Sequence, residues 1–431
     1  MAEKTSQPPG ADSPARGFHW AWVIAAVSFV VLLSAAAFRS APSVLIEPLH
    51  TEYGWSRAVI GSAVSVNLVL FGLISPFAAA LMERWGLRRV AAGALLLISA
   101  GSGLTIFMTA SWQLIVCWGV LVGVGAGSIS MVFVAAVVSR WFVAKRGLVT
   151  GVLTAAAATG QLVFLPSVAY LAESYGWRAA SLAVSLSALA VSPLAALLLR
   201  DHPRDVGLAA YGATDDAAPS ASTATGSGAA ARALSALAGA VRTRAFWLLA
   251  GGFAICGIST NGLVGTHFVP AAHDHGMPLT TGAGLLALVG VFDIAGTVLS
   301  GWLTDRIRPQ LLLGAYYSLR GASLLVLPLL FAPHVQPSMW VFIVFYGLDW
   351  IATVPPTVAL CRDWFGASGP VVFGWVFASH QIGAAVAAVG AGAIRDAFGA
   401  YHLAWYVAGG LCVAAAAMSL RIGRAPHPAA V

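Results

Sequence analysis

The sequence predicts an all-α integral membrane protein with twelve transmembrane helices in two pseudo-symmetric six-helix halves. Hydrophobic side chains make up 59% of the 431 residues and charged ones only 9%, which is too little polar surface for a soluble globule of this size. Apolar stretches of about twenty residues, the length that a helix needs to cross roughly 30 Å of hydrocarbon, recur twelve times. Two loop motifs also recur at one fixed separation, which indicates duplication.

The apolar stretches divide the chain into five regions. Residues 200–245 are rich in Ala, Ser, Thr, Gly and Asp, a composition that favours a mobile linker over a packed core. Short tails, 1–19 and 422–431, precede and follow the spans. The N-terminal half, 20–199, contains predicted helices at 20–46, 57–82, 88–110, 113–139, 147–171 and 178–199; the C-terminal half, 246–421, contains 246–271, 281–303, 310–332, 338–360, 370–394 and 401–421.

The repeat is visible in the loops after helices two and eight. AALMERWGLRR follows helix two and GWLTDRIRP follows helix eight, and the acids Glu83 and Asp305 lie 222 positions apart. The loops after helices four and ten place Arg140 and Arg362 at the same separation. Internal repeats in transporters put the substrate path at the interface of the halves, and we expect the same here.

The distribution of basic residues predicts the orientation. Most of the 23 Lys and Arg fall in the tails, the linker and the loops on the same side, whereas the opposite loops contain only Arg57, Arg178 and Arg395. Because basic residues resist translocation, both termini are predicted to be cytosolic. The net charge of +7 is a product of this bias and gives no reason to invoke nucleic acid as a partner. The hydropathy of the spans indicates the lipid bilayer instead. Scarce lysine with abundant alanine and arginine is typical of a GC-rich bacterium, hence an inner-membrane location.

The sequence contains no pattern that indicates a metal, a cofactor or an enzyme. The four cysteines are isolated in apolar stretches, without metal-ligand or disulfide spacing, and we interpret them as packing residues. The glycine-rich 123–127 stretch has no preceding strand and no Lys-Ser/Thr, so it indicates close helix packing and not a nucleotide loop.

The loop after helix eight resembles the signature of a known family. Gly301, Asp305 and Arg306 match the G-x-x-x-D-R loop of the major facilitator superfamily, and the first-half copy, with Glu83 followed by Arg84, is a degraded version. The resemblance implies the MFS fold and secondary active transport by alternating access. It also implies that Glu83, Arg84, Asp305 and Arg306 form a cytosolic gate motif.

Three further stretches resemble the monocarboxylate transporter and oxalate/formate antiporter branch of this superfamily. They are GFHWAWV at 17–23, FRSAPSVLIEPL at 38–49 and WFVAKRGLVTGVLTAAAATG at 141–160. The resemblance implies that the cargo is a small organic anion, a carboxylate, and that protons are carried with it. In this branch, a basic residue at the exit of helix one faces the cavity and attracts the carboxylate, which assigns Arg39 to substrate binding. The alternative for Arg39 is an arginine that reaches the outer headgroups.

Two opposite charges lie at the same depth in neighbouring helices. Arg320 lies about eleven residues into helix nine and Asp349 about as far into helix ten, so both fall near the middle of the membrane. Their positions predict an ion pair. The pair is either a static brace or one that opens during transport. In the second case Arg320 becomes available to an anion and Asp349 to a proton. Trp350 beside them is a candidate for shaping the substrate pocket.

His380 and Gln381 fall about ten residues into helix eleven, again near mid-depth. They are predicted to line a polar cavity that recognises the substrate. The alternative is a core histidine satisfied by a backbone carbonyl.

Asp293 is an acid inside an apolar run. It lies twelve residues, about 18 Å of helix, from Asp305 at the cytosolic edge, which places it near the bilayer centre. It matches an acid of the resembled branch, but the arginine expected one turn later is replaced by Thr297. A carboxyl at this depth can bind a proton on one side and release it on the other, so Asp293 is predicted to couple protons to transport. A structural aspartate bonded to a neighbouring helix is the alternative.

Three hypotheses for function follow. The first is a proton-coupled secondary transporter for a small carboxylate. The second, which the missing arginine favours, keeps the fold with a larger aromatic or heterocyclic nutrient as cargo, or with anion exchange. A membrane enzyme or receptor needs a catalytic constellation or an extramembrane domain, and the sequence offers neither.

We expect Arg39→Gln to weaken binding of an anionic substrate by about 1.5 kcal/mol or more, the scale of a hydrogen bond to a charged group. Equilibrium binding of an identified anion to the two purified proteins measures the difference. With equal affinities, the carboxylate assignment either moves to Arg320 or fails.

Overall fold

A computed structural model describes residues 19–213 and 228–423, apart from the side chains at a few positions that include 38–41 and 83. The predicted tails therefore lie almost wholly outside the described residues. Twelve described helices are long and apolar enough to cross a membrane, which confirms the all-α membrane fold. They are α1 Trp20–Tyr53, α2 Arg57–Trp85, α3 Leu87–Phe107, α4 Ser111–Trp141, α5 Arg146–Tyr175, α6 Trp177–Leu198, α7 Arg244–Asp274, α8 Leu279–Thr304, α9 Pro309–Leu329, α10 Pro337–Phe365, α11 Gly369–Phe398 and α12 His402–Leu420.

The helices alternate in direction, so the structure has two faces. The terminal face carries His19 and the segments before α7, and the far face carries the loops after α1 and α7. α1 runs on to Tyr53, past the predicted end at residue 46, and stops at Gly54, whose positive φ of 67° favours glycine. Gly276, 222 positions later, has a φ of 84° after α7, so the repeat extends to the far-face turns.

Helices α4 and α10 are both interrupted. α10 consists of Pro337–Asp349 and Val354–Phe365, and α4 is interrupted at residues 129–130. The two interruptions lie 222 positions apart, the separation of the loop motifs. In α10 the local cause is Pro355 and Pro356, which have no N–H to donate to the carbonyls four residues earlier.

The first six helices (the first set) and the last six (the second set) meet along two seams, α2 with α11 and α5 with α8. Small residues form the α2–α11 seam: Gly61 faces the Ala388 carbonyl, and Ser65 Oγ donates to the Ala385 carbonyl at 2.5 Å. Small side chains let helix backbones approach closely, which is the main source of helix association in lipid.

Both described parts of the 200–245 segment are more ordered than their composition predicts. Tyr211 exchanges backbone hydrogen bonds with the α4–α5 loop, donating to Trp141 and accepting from Val143. A linker helix, Ala229–Ala240, packs on the terminal ends of α2 and α11, where Trp375 Nε1 donates to its backbone at 2.9 Å. Both described parts of the linker therefore make tertiary contacts with the membrane helices.

We expect Gly61→Val to lower the stability of the protein by about 1–3 kcal/mol, because the new side chain overpacks the seam against the Ala388 backbone. Gly93→Val is the matched control, since a Cβ at Gly93, also inside a helix, meets nothing within 4 Å. Denaturant midpoints of the two variants in detergent make the comparison, and equal midpoints would contradict the packing assigned to the seam.

Candidate functional site

The interruption of α10 gathers three of the charged residues singled out from the sequence. They are Arg320 of α9, Asp293 of α8, and Asp349 at the end of the first part of α10. Arg320 bonds to residues 349 and 350, and Asp293 bonds to Ile351. Each is almost fully buried. A break in a membrane helix frees backbone polar groups that need partners inside the protein, and these side chains supply them.

Arg320 binds both the side chain and the backbone of the break. Its Nε donates to Asp349 Oδ2 at 2.6 Å, so the predicted ion pair is present. Nη2 donates to the carbonyls of Asp349 and Trp350, and Nη1 donates to Cys256 Sγ of α7 at 2.9 Å. The guanidinium thus links α7, α9 and α10, and in this conformation all three of its nitrogens are engaged by protein.

Asp293 holds the other side of the break. Its Oδ1 accepts the Ile351 N–H at 2.9 Å and the hydroxyl of Thr297 at 3.1 Å. One turn further along α8, Ser300 Oγ donates to the Ala352 carbonyl at 2.5 Å. The residue that replaces the arginine expected from the resemblance is therefore a hydrogen-bond donor to the acid.

The corresponding break in α4 contains none of these charges. The positions 222 residues before Asp293, Arg320 and Asp349 are Phe71, Ile98 and Gly127. There, the seryl hydroxyls of Ser75 and Ser130 bond to each other at 2.8 Å between α2 and α4. The fold therefore accommodates a helix break at this position without ionisable groups, and the charged cluster is specific to the second set.

The sequence analysis missed Cys256 and the break itself. Cys256 was interpreted as a packing residue, but its sulfur accepts from Arg320 and lies 3.3 Å from Thr353 Oγ1. The adjacent Pro355 and Pro356 were the available signal for the break. Nothing in the sequence pairs Cys256 with Arg320, because they are 64 positions apart on different helices.

His380 and Gln381 of α11 lie outside the charged cluster. His380 Nε2 is 3.4 Å from Thr260 Oγ1, and its ring lies 5.0 Å from the ring of Phe253 and 5.9 Å from that of Phe377. Gln381 packs against Gly72 of α2 across the seam, and both polar atoms of its amide are buried without a hydrogen bond among the described protein groups. The His380 ring, with its aromatic neighbours, and the unpaired Gln381 amide therefore both lie beside the junction of the two sets.

The remaining predicted residues lie apart. Trp350 is partly exposed next to Tyr346, with ring centroids 5.7 Å apart. At the terminal face, Arg84 and Arg306 stack on the neighbouring Trp85 and Trp302, at 6.0 and 4.0 Å. Asp305 is exposed at the end of α8. The side chains of Glu83 and Arg39 lie outside the described residues. Within the described ranges, no three His, Cys, Asp or Glu side chains come together as a metal site.

Comparison with known proteins agrees with this architecture. Among solved structures, a bacterial homologue of the human lysosomal transporter Spinster superposes with a TM-score of 0.74 at 15% identity, over 93% of this chain and 96% of the other. A D-xylose–proton symporter gives a TM-score of 0.72 at 16% identity, over 94% of this chain and 98% of the other. At these identities the likeness shows the fold alone.

The sequence relatives are more specific. An uncharacterized MFS-type transporter, YcxA of Bacillus subtilis, is 24% identical over 89% of this chain and 90% of its own length. Human monocarboxylate transporter 11 is 26% identical over 98% and 87%, and rat monocarboxylate transporter 13 is 27% identical over 99% and 92%. These relatives confirm the resemblance to the monocarboxylate transporter branch. The model of the Major Facilitator Superfamily matches residues 27–361, and this chain therefore belongs to that superfamily, as a multi-pass membrane transporter and not an enzyme.

Proposed function

We propose that this protein is a secondary active transporter that moves a small organic carboxylate across the membrane by alternating access with proton symport. The sequence relatives named monocarboxylate transporters support the cargo class. The observation that carries the proposal is the asymmetry between the two helix breaks, since only the second set places a guanidinium and two carboxylates at the break.

A brace alone does not account for this asymmetry. Taking charges out of water costs several kcal/mol each, and an apolar substitute of similar volume is often at least as stable. The break in α4 uses Phe71, Ile98 and Gly127 at the corresponding positions. Ionisable groups at membrane depth are retained for ion and substrate paths, and we infer that the cluster at α10 is such a path.

The charge balance of the cluster explains how a proton takes part. Arg320 contributes one positive charge, and ionised Asp293 and Asp349 contribute two negative ones, so one proton makes the cluster neutral. Protonation of Asp293 weakens its bond to the Ile351 N–H, because a neutral carboxyl is a poorer acceptor than a carboxylate. The two parts of α10 can then move relative to each other. Proton binding at Asp293 or Asp349 is thereby coupled to the geometry of the break.

The proposal assigns roles to the other predicted residues. Arg39, Arg320, His380, Gln381 and Trp350 bind the substrate. The gate motif of Glu83, Arg84, Asp305 and Arg306 lies at the cytosolic face, and both termini are cytosolic in a bacterial inner membrane. The halves 20–199 and 246–421, tethered by the linker 200–245, rock about the α2–α11 and α5–α8 seams.

One observation favours a second candidate cargo, a larger aromatic or heterocyclic nutrient. Thr297 stands where the branch has its anion-binding arginine, and the nitrogens of Arg320 are engaged by the protein. The partly exposed ring of Phe377, 5.9 Å from that of His380, offers a stacking surface instead. Uptake of carboxylates compared with uncharged aromatic nutrients distinguishes the two cargoes, and exchange without a pH dependence would indicate an anion exchanger.

We expect a double-mutant cycle at Arg320 and Asp349 to show strong coupling. Arg320→Gln or Asp349→Asn alone strands a buried charge and should cost about 3–5 kcal/mol, whereas the double variant should cost less than the sum. The far-face pair of Arg395 and Asp274, with Nε to Oδ2 at 2.6 Å, is the control. It is partly exposed, so its coupling should be about 1 kcal/mol or less. Additive losses at Arg320 and Asp349 would show that the two charges do not stabilise each other.

We expect Asp293→Asn, which mimics the protonated carboxyl, to bind and exchange substrate but to lose accumulation driven by a pH gradient. Proteoliposomes loaded with and without a gradient separate the two activities. Asp363→Asn, at an exposed acid at the terminal end of α10, should behave as the wild type. An Asp293→Asn variant that still concentrates substrate with wild-type pH dependence would remove the proton-carrier role and leave Asp293 as a structural acceptor for α10.

A further inference from the structure

The far face of the α2–α11 seam holds a carboxylate between the two helix sets. Asp396 of α11 accepts the Arg57 N–H through Oδ1 at 3.2 Å and the Ala58 N–H through Oδ2 at 3.0 Å. Both donors belong to the first turn of α2, where backbone N–H groups have no partner within the helix and the helix dipole favours a negative charge. Arg57 Nη1 lies 3.8 Å from Oδ1 of the same carboxylate. We call these two N–H groups and the guanidinium the far-face socket.

The guanidinium of the far-face socket is itself a buried, incompletely paired group. Arg57 is only 6% exposed, and its Nε has no hydrogen-bond partner among the described residues. Nη2 donates to Glu47 Oε2 at 2.8 Å, and Nη1 lies 3.2 Å from His50 Nε2. A buried guanidinium with a nitrogen to spare is a second, independent feature that favours an anion here.

Residues of the first set alone hold the socket in shape. His50 Nδ1 lies 2.7 Å from the Trp55 carbonyl, which can only accept, so Nδ1 carries the proton. The lone pair of Nε2 is then left to accept from Arg57. Glu47 and His50 are on α1, and neither belongs to the helix that carries Asp396. The donors are therefore preorganised whether or not Asp396 is present.

Opening of the far face must empty the socket. Gly392 of α11 packs against the backbone of Arg57, so the carboxylate reaches its donors only while α11 lies on the start of α2. When the sets part, the charges of Arg57 and Glu47 still balance each other. The Arg57 and Ala58 N–H groups, however, lose the acceptor that Asp396 gave them. A second carboxylate would restore both of these bonds.

We propose that the far-face socket is a carboxylate-binding site, which Asp396 occupies in this closed conformation and which a small monocarboxylate occupies when the far face opens. It is the point at which a carboxylate substrate first docks or last leaves at the far face; this identification of the ligand as substrate rests on the proposed function. The two adjacent N–H groups already donate to the two oxygens of one carboxylate, so their spacing fits a ligand with a single carboxylate.

Chemical rescue tests the socket without any transport measurement. Asp396→Ala removes the carboxylate and leaves the donors, so the variant should have a lower Tm than the wild type. Acetate, added at constant ionic strength against chloride, should restore most of the loss, whereas the uncharged acetamide should not. Wild-type protein, with the socket filled, and Asp363→Ala, at an exposed acid remote from the socket, should show no acetate effect. In Asp396→Ala/Arg57→Gln the rescue should disappear.

Absence of rescue in Asp396→Ala, or equal stabilisation of wild type by acetate, overturns the proposal. If Asp396→Ala does not fold, Asp396→Ser, which also removes the carboxylate and vacates the socket, takes its place in the same titration. If acetate does not rescue the variant but the wild type shows gradient-driven uptake, the carboxylate-binding site is rejected and the transport function is retained. If acetate rescues the variant but the wild type accumulates no carboxylate, the anion site is retained and its assignment to substrate is rejected.

Discussion

The hydrogen-bonding requirement of an interrupted membrane helix organises the second helix set. Once Pro355 and Pro356 end the regular bonding of α10, the freed carbonyls and N–H groups need partners within the protein, because hydrocarbon offers none. Arg320 donates to the carbonyls of Asp349 and Trp350, Ser300 donates to that of Ala352, and Asp293 accepts the Ile351 N–H. Packing brings α8 and α9 against α10, and the bonds to the break bury three charges at one point.

The duplicated architecture allows the charged break in α10 to be compared with the uncharged break in α4. Because the first set repeats the break, the loops and the far-face glycine turn at a separation of 222 residues, it serves as an internal reference for what the fold requires. What the second set adds to that reference is charge. Its break carries the Arg320 guanidinium, which is paired with Asp349, and a second carboxylate, Asp293, which accepts the Ile351 N–H.

Two kinds of contact join the sets and differ in how easily they part. The α2–α11 seam buries small residues such as Gly61 along the helices, where van der Waals packing predominates and Ser65 adds a hydrogen bond to the Ala385 carbonyl. At the far face the contact is electrostatic and local, with Asp396 on the first turn of α2. A carboxylate in a preorganised socket can leave and be replaced in a single step, which suits a face that opens and closes.

The sequence by itself determined the membrane class, the twelve helices and the repeat, since these depend on hydropathy and on residue spacing, which are local properties of the chain. The superfamily was indicated by the resemblance of its loop motifs to those of a known family. The sequence also placed Arg320 and Asp349 at one depth, because helical rise converts sequence position into depth. Only the tertiary structure decided that Asp293 bonds to the backbone of α10, that Cys256 accepts from Arg320, and that Asp396 rests on α2. These contacts depend on which helix faces which and on its rotation about its axis. Packing sets both, and no pattern within a single helix records them.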